Sequence, residues 1–217
     1  MQYSEGKELD YFTDISINML KNVGFSLAEY DQVMVGFEHP CAPRSHAWNL
    51  LQADRHRSVA ECLEAPDIGA LLRWAFDTWA PAAEAARSLP HQFIHGDANP
   101  ENIMVRNGVV CGLIDLGDCG AAPVVCELAI CLAYLMMDRD NPLQTATVVA
   151  DAYHQRRPLS RSERSLLLPL ACGRLAVTAT MAAKRRTIDA DNPNWFRSEA
   201  GALRLLARLR QETRLQI

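Results

Sequence analysis

An α+β fold, mostly α-helical with one small β-hairpin at its centre, is what this 217-residue sequence predicts. Three observations carry that expectation. Asn107-Gly108 separates two β-prone runs, Ile103 to Val105 and Val109 to Ile114, and an Asn-Gly pair in that setting is the strongest short-range hairpin signal. Capped, periodically apolar stretches lie on both sides of the hairpin. Pro123 to Met137 is almost wholly apolar yet too short to span a bilayer, so it reads as a buried helix.

Composition sets the outer bounds. The length fits one domain or two small ones and is enough to bury a core. Hydrophobic content of 49% with 22% charged residues is ordinary for a soluble globular chain. A net charge of −4 argues against nucleic acid and against an anionic membrane as partner. The N-terminus lacks the basic, apolar, small-residue layout of a signal peptide. With no such signal, seven cysteines imply a reducing, cytoplasmic setting. Cys111, Cys119, Cys126 and Cys131 form no Cys-x-x-Cys pair and read as small apolar fillers.

The elements follow in order. Residues 1–24 are polar and weakly periodic, and they are set apart as a divergent N-terminal segment ahead of a domain over 25–217. Ser26 to Glu29 has the form of a capping box, predicting a short helix from about 26 to 36 that ends near Gly36 and Pro40. Trp48 to Leu51 predicts another short helix. Asp67, after Pro66, caps a helix through Leu71, Leu72, Phe76 and Trp79 toward Leu89. Phe93-Ile94 is a short apolar run ahead of the hairpin. Beyond it the sequence reads as helical throughout, with Pro123 in a first turn and Ser160 to Glu163 as a second capping box. Pro169 kinks or splits the helix it lies in, and a last helix runs from about Trp195 to Leu215 with Ala202, Leu205, Leu206 and Leu209 on one face.

The chemistry gathers at the hairpin. His95-Gly96-Asp97-Ala98-Asn99-Pro100-Glu101-Asn102 precedes it, and Ile114-Asp115-Leu116-Gly117-Asp118 follows it. Phosphoryl transfer to an alcohol needs a carboxylate at the hydroxyl proton and oxygen ligands that hold Mg²⁺ on the phosphates. Asp97 is the candidate base, and Asn102 and Asp115 are candidate metal ligands at the two hairpin ends. Gly117 allows a sharp turn after Asp115. Asp118 adds a further carboxylate or caps the next turn. Singly, each of these residues is more often a turn former. The joint spacing is what makes the set specific.

In these residues the segment resembles the catalytic and metal loops of the aminoglycoside phosphotransferase family, the choline-kinase-like small-molecule kinases. That family is itself similar to protein kinases with their His-Arg-Asp and Asp-Phe-Gly motifs. Within it, Gly36 to Pro40, Trp48 to Leu50, His95 to Met104, Asp115 to Gly120 and Asn192 to Trp195 look most like hydroxylysine kinase and the kinase-like domains fused to some aminotransferases. The resemblance runs from about residue 25 onward. It implies the C-terminal lobe of a protein-kinase-like fold, ATP or GTP as phosphate donor, Mg²⁺, and a small amino-acid-like or amine-bearing acceptor such as hydroxylysine. Asp97 then matches the catalytic base, Asn102 a metal ligand, Asp115 the principal metal ligand and His95 a structural loop histidine. Asp118 matches a position whose role the resemblance leaves open.

An N-terminal nucleotide lobe with a Gly-rich loop and a strand-borne lysine is expected in such kinases. The glycines before Asp97 are all isolated, and Lys7, Lys21 and Lys184 are the only lysines, none after a predicted strand. The chain therefore reads as the C-terminal lobe alone: a fragment, a truncated product or half of a split kinase. It would self-associate or dock a separate lobe through an apolar surface around Tyr30, Val33, Met34 and Phe37. The alternative is a non-catalytic kinase-like lobe serving as a binding module.

The other residues read more plainly. His39, His46, His56, His91 and His154 are expected at surfaces or turns, and Glu127 as a paired structural carboxylate. Lys184-Arg185-Arg186 reads as a solvated helix end. Trp48 is core, or alternatively faces the substrate. Asp138, Asp140, Asp189 and Asp191 read as loop acids or as contacts for an amine.

Overall fold

A computed structural model describes residues 6–11, 14–40, 42 and 45–212. Among these, seven helices surround two small antiparallel sheets. Helix α1 spans Ile17–Val33. Its stripe of Met19, Leu20, Val23 and Leu27 is buried, mainly against α5 (Pro142–Arg156). Ser16 caps it, accepting the Met19 N–H at 3.2 Å. The helix placed at 26–36 thus starts nine residues earlier, and Ser26 is an interior residue. The apolar stripe, extended by tertiary packing, outweighs the local capping signal at Ser26.

The helix expected at Trp48 to Leu51 is a run of 3₁₀ turns over Leu50–His56, capped by Asn49 and followed by α2 (Arg57–Glu61). Helix α3 (Pro66–Ala86) begins on Pro66 itself, so Asp67 is a first-turn acid near the positive end of the helix dipole and not its cap. Helix α4 (Val125–Leu135) is buried at every position except Tyr134. Pro123 lies outside it, at the end of strand β5 (Gly120–Pro123), where it opposes His91.

Helix α6 (Arg161–Arg186) is the central strut, packed against α3, α4 and α7 (Glu199–Leu209). The Ser160 capping box is complete in both directions, at 3.1 Å and 2.8 Å. Pro169 does not split the helix, which is continuous through it. In length and composition α6 could cross a membrane, but 78% of its apolar stretch is buried inside the protein. The last helix covers Glu199–Leu209 after a 3₁₀ turn at Pro193–Trp195, with Ala202, Leu205, Leu206 and Leu209 buried as one face. Leu215, its expected end, lies outside the described residues.

The sheets position the two loops. Strands β3 (Ile103–Arg106) and β4 (Val109–Leu113) form the expected hairpin. Asn107 (φ 53°) and Gly108 (φ 78°) both adopt the left-handed conformation that a tight two-residue hairpin requires. A two-residue strand β1 (Lys7–Glu8) pairs with β3. The second sheet joins β2 (His91–Ile94) to β5. Neither β1 nor β5 was foreseen, since a two-residue segment and Gly-Ala-Ala-Pro carry no strand propensity.

Candidate active site

The β2–β5 pairing sets Ile94 opposite Gly120, which lays the loop after β2 beside the loop before β5. The contact is tight. Gly96 has φ 77°, and a Cβ there would come within 2.7 Å of the Asp118 carbonyl oxygen. Glycine alone satisfies both conditions. The hairpin adds a second tie, the Ile114 N–H donating to the Asn102 carbonyl at 2.9 Å.

Buried His95 stitches the loops together. Its Nδ1 accepts the Asp97 N–H at 3.3 Å and its Nε2 faces the Ile114 carbonyl at 2.9 Å. That pairing requires the neutral ring with the proton on Nε2. Burial lowers the His95 pKa, which favours the same form. Beneath the loop, fully buried Glu127 of α4 accepts the backbone N–H groups of His95 and of Gly96, the latter at 3.2 Å. Desolvation raises the Glu127 pKa well above the usual carboxylate range. Glu127 is thus a structural carboxylate, as expected, and its partners are the backbone of the loop that carries Asp97.

Both carboxylate oxygens of Asp97 are held, with one acceptor site left on Oδ1. Oδ1 receives the Arg174 guanidinium at 2.5 Å, and Oδ2 receives the side-chain amides of Asn99 and Asn102, each at 3.1 Å. Burial raises the Asp97 pKa, and the Arg174 charge opposes that rise without cancelling it. Because the Asn102 amide nitrogen is turned toward Asp97 (its backbone carbonyl at 2.8 Å as well), the amide oxygen is the atom left for a metal.

Asp115 is exposed and left-handed (φ 61°), its Oδ1 accepting the Gly117 N–H at 3.1 Å. The sharp turn assigned to Gly117 is therefore made at Asp115, closed by its own carboxylate. Asp118 pairs with His46 at 3.3 Å, so His46 is part of the site and not a bystander. His56, also expected at the surface, is 5% exposed and bonds the Ala47 carbonyl at 2.8 Å.

Asp97, Asp115 and Asp118 open onto one cleft of about 570 Å³. Among the described residues no three His, Cys, Asp or Glu side chains are grouped to hold a metal alone.

The far wall contains residues that sequence reasoning missed. Arg174 of α6 is 1% exposed, bonded to the Tyr134 hydroxyl at 3.1 Å and the Trp48 carbonyl at 3.0 Å besides Asp97. Its signal was present: an arginine inside the apolar run Leu170 to Val177 must have a buried partner. Arg185, assigned to a solvated helix end, instead turns into the cleft against Trp48 and Trp195. Trp48 is half-buried and lines the cleft.

Comparison with known proteins bears on this geometry. The pattern of the phosphotransferase enzyme family matches residues 5–159. Hydroxylysine kinase of Mus musculus is 27% identical over 78% of this chain and 49% of its own length. Homoserine kinase of Gluconacetobacter diazotrophicus is 31% identical over 83% of this chain and 54% of its own. The chain thus spans about half the length of the curated relatives it matches. Among solved structures, the amicoumacin kinase hAmiN, in complex with AMP-PNP, Ca²⁺ and Ami, superposes with a TM-score of 0.65 at 12% identity, over 99% of this chain and 65% of that one. A microcompartment-associated aminopropanol kinase gives 0.63 at 18% identity, over 89% and 62%. These two likenesses are of fold alone. The paired loops, set where the sheet pairing brings them together and read with a family pattern over most of the chain, identify it as a member of the phosphotransferase enzyme family.

Proposed function

We propose that this chain is the acceptor- and metal-binding lobe of a kinase. It would transfer phosphate from ATP or GTP, with Mg²⁺, to a hydroxyl of a small amino-acid-like or amine-bearing metabolite such as hydroxylysine. The single observation that carries the reading is the junction of Asp97 with Asn102 and of both with the Asp115 loop, through the Asn102–Asp97 and Ile114–Asn102 bonds. The names of the hydroxylysine and homoserine kinases it resembles support the acceptor class.

In this reading Asp97 orients the acceptor hydroxyl and takes its proton as the new P–O bond forms and the nucleoside diphosphate leaves. Asn102 and Asp115 would hold Mg²⁺, which would supply positive charge to offset the negative charge of the phosphates. His95 and Glu127 act through the backbone, fixing the loop that presents Asp97. Asp118, paired with His46, faces the same cleft as an accessory carboxylate. The cytoplasmic setting we propose agrees with buried thiols outside any disulfide at Cys126, Cys131 and Cys172.

The alternative, a binding module that keeps the fold without turnover, draws on one feature: no lysine lines the cleft among the described residues. A MgATP-dependent phosphate-transfer assay on hydroxylysine and homoserine decides between them. Replacing Asp97 by Asn should lower kcat by about a hundredfold or more, and Asp115→Ala should abolish turnover by removing the main Mg²⁺ carboxylate. Activity unchanged by either substitution refutes the assignment.

A further inference from the structure

The cleft carries an unused cation. Arg174 is committed to Asp97, Arg197 to Asp10 at 3.1 Å and Glu101 at 2.5 Å, and Arg139 bonds the Leu135 carbonyl at its own helix end. The cleft acids Asp138 and Glu199 are likewise paired, with Arg204 and Arg186. Arg185 differs. Its guanidinium lies 5.4 Å from the centroid of Trp48 and 5.6 Å from that of Trp195, and among the described residues it has no hydrogen bond or ion pair.

Two indole rings restrict a flexible side chain and hold its planar fork in place at little further entropic cost. They supply no acceptor for its N–H donors. A half-buried guanidinium held this way is matched by a planar, two-oxygen anion, which it grips through paired N–H···O bonds. Its place in the cleft is informative as well. The Trp48 ring that contacts Arg185 also contacts Arg174, at 4.7 Å, and Arg174 holds Asp97. Only one ring and its contacts therefore separate Arg185 from the proposed base.

We infer that Arg185, held between Trp48 and Trp195, is the receptor for a carboxylate on the acceptor, so that a small hydroxy acid lies across Trp48 with its acid group on Arg185 and its hydroxyl at Asp97. This rests on the kinase reading above and sharpens it: the acceptor is a hydroxy acid and not an amino alcohol. A cation left without its anion penalises the decarboxylated analogue, which is how such sites discriminate.

The test is calorimetric titration of the full chain with L-homoserine, with 5-hydroxylysine and with 3-aminopropan-1-ol, which is homoserine without its carboxyl group. The wild-type chain should bind homoserine at least about tenfold tighter than the amino alcohol. Arg185→Ala should bring that ratio close to one, and Arg185→Lys, which keeps the charge and the stem but loses the fork, should reduce it severalfold. Should the alanine variant fail to fold, the lysine variant alone decides. Equal binding of homoserine and the amino alcohol by the wild type overturns the proposal. So does a ratio that survives in the variant that folds, or no binding of either hydroxy acid. Release of ADP from MgATP is followed separately. Carboxylate-selective binding with no transfer to any acceptor upholds the Arg185 receptor and sinks the kinase reading. Transfer to the amino alcohol as fast as to homoserine does the reverse.

Discussion

Arg174 shows how much can rest on one side chain. Fully buried, it ties α6 to Asp97, to Tyr134 and to the Trp48 backbone, and it opposes the rise that burial imposes on the Asp97 pKa. Removing it should act twice. Arg174→Met should destabilise the chain by on the order of 3 kcal/mol, somewhat less than for a sealed pair because Asp97 opens onto the cleft. It should also let the Asp97 pKa climb further, which moves the acid limb of the kcat/KM profile to higher pH. An acid limb that stays in place would show that Arg174 merely packs. Asp31 carries a second prediction. It is buried, its Oδ2 accepting the Tyr153 hydroxyl and its Oδ1 the Gln92 amide at 3.3 Å, and desolvation pushes its pKa up to about 7. A carboxyl raised in the folded state binds its proton more tightly there than when unfolded. The stability it contributes is complete below the unfolded value of about 4 and is lost as pH rises to about 7. Glu127, also raised, acts with the same sign. Melting curves from pH 4 to 8 should therefore fall less steeply with pH in Asp31→Asn than in wild type. Parallel slopes would mean that Asp31 does not titrate in this window.

At the scale of elements, close helix approach is the limiting feature. A Cβ on Gly24 of α1 would come within 2.4 Å of the Val149 carbonyl and 3.0 Å of the Tyr153 nitrogen, both backbone atoms of α5. Backbone cannot yield as a side chain can, so Gly24→Ala should cost about 1–3 kcal/mol by forcing α1 and α5 apart. An unchanged denaturation midpoint in urea would contradict that reading of the α1–α5 seam. The hairpin and the Ser160 cap were readable in advance, because each is decided by a few adjacent residues. The start of α1 was not readable. Ser26 and Ser16 both precede helical stretches, and only the burial of Met19, Leu20 and Val23 selects the earlier one. Strand β5 likewise exists because β2 lies beside it, 26 residues away at the Ile94–Gly120 pair.

For the whole molecule, two features carry predictions: the make-up of the cleft and the exposed apolar face at the end of α1. In this class the triphosphate is held by a backbone cradle and a lysine as well as by metal. The cleft described here supplies arginines and carboxylates, and no lysine among the described residues. We therefore expect the 217-residue chain to bind MgATP weakly and to turn over slowly, as measured by calorimetry and phosphate transfer. Tight binding with ordinary turnover by a monomer would show a cradle elsewhere. Val33, Val35 and Phe37 are 80%, 69% and 48% exposed at the end of α1, the region marked in advance as an apolar surface. Sedimentation should report self-association that Val33→Glu with Val35→Glu abolishes. A wild-type monomer at high concentration would speak against it.

The order of residues alone marked the candidate site we propose, Asp97, Asn102 and Asp115 around a hairpin, because a turn and the two loops beside it are short-range patterns written in nearby positions. Tertiary structure decided who faces them. Arg174 lies 77 residues from Asp97, and Arg185 lies far along the chain from Trp48. Each is an unremarkable arginine on a long helix until α6 packs against α3 and α4 and turns it inward. Burial then does what spacing cannot signal. It removes water from Arg174 and Asp97 so that each must find the other, and it sets Arg185 between two rings that hold its charge but leave its donors for a ligand.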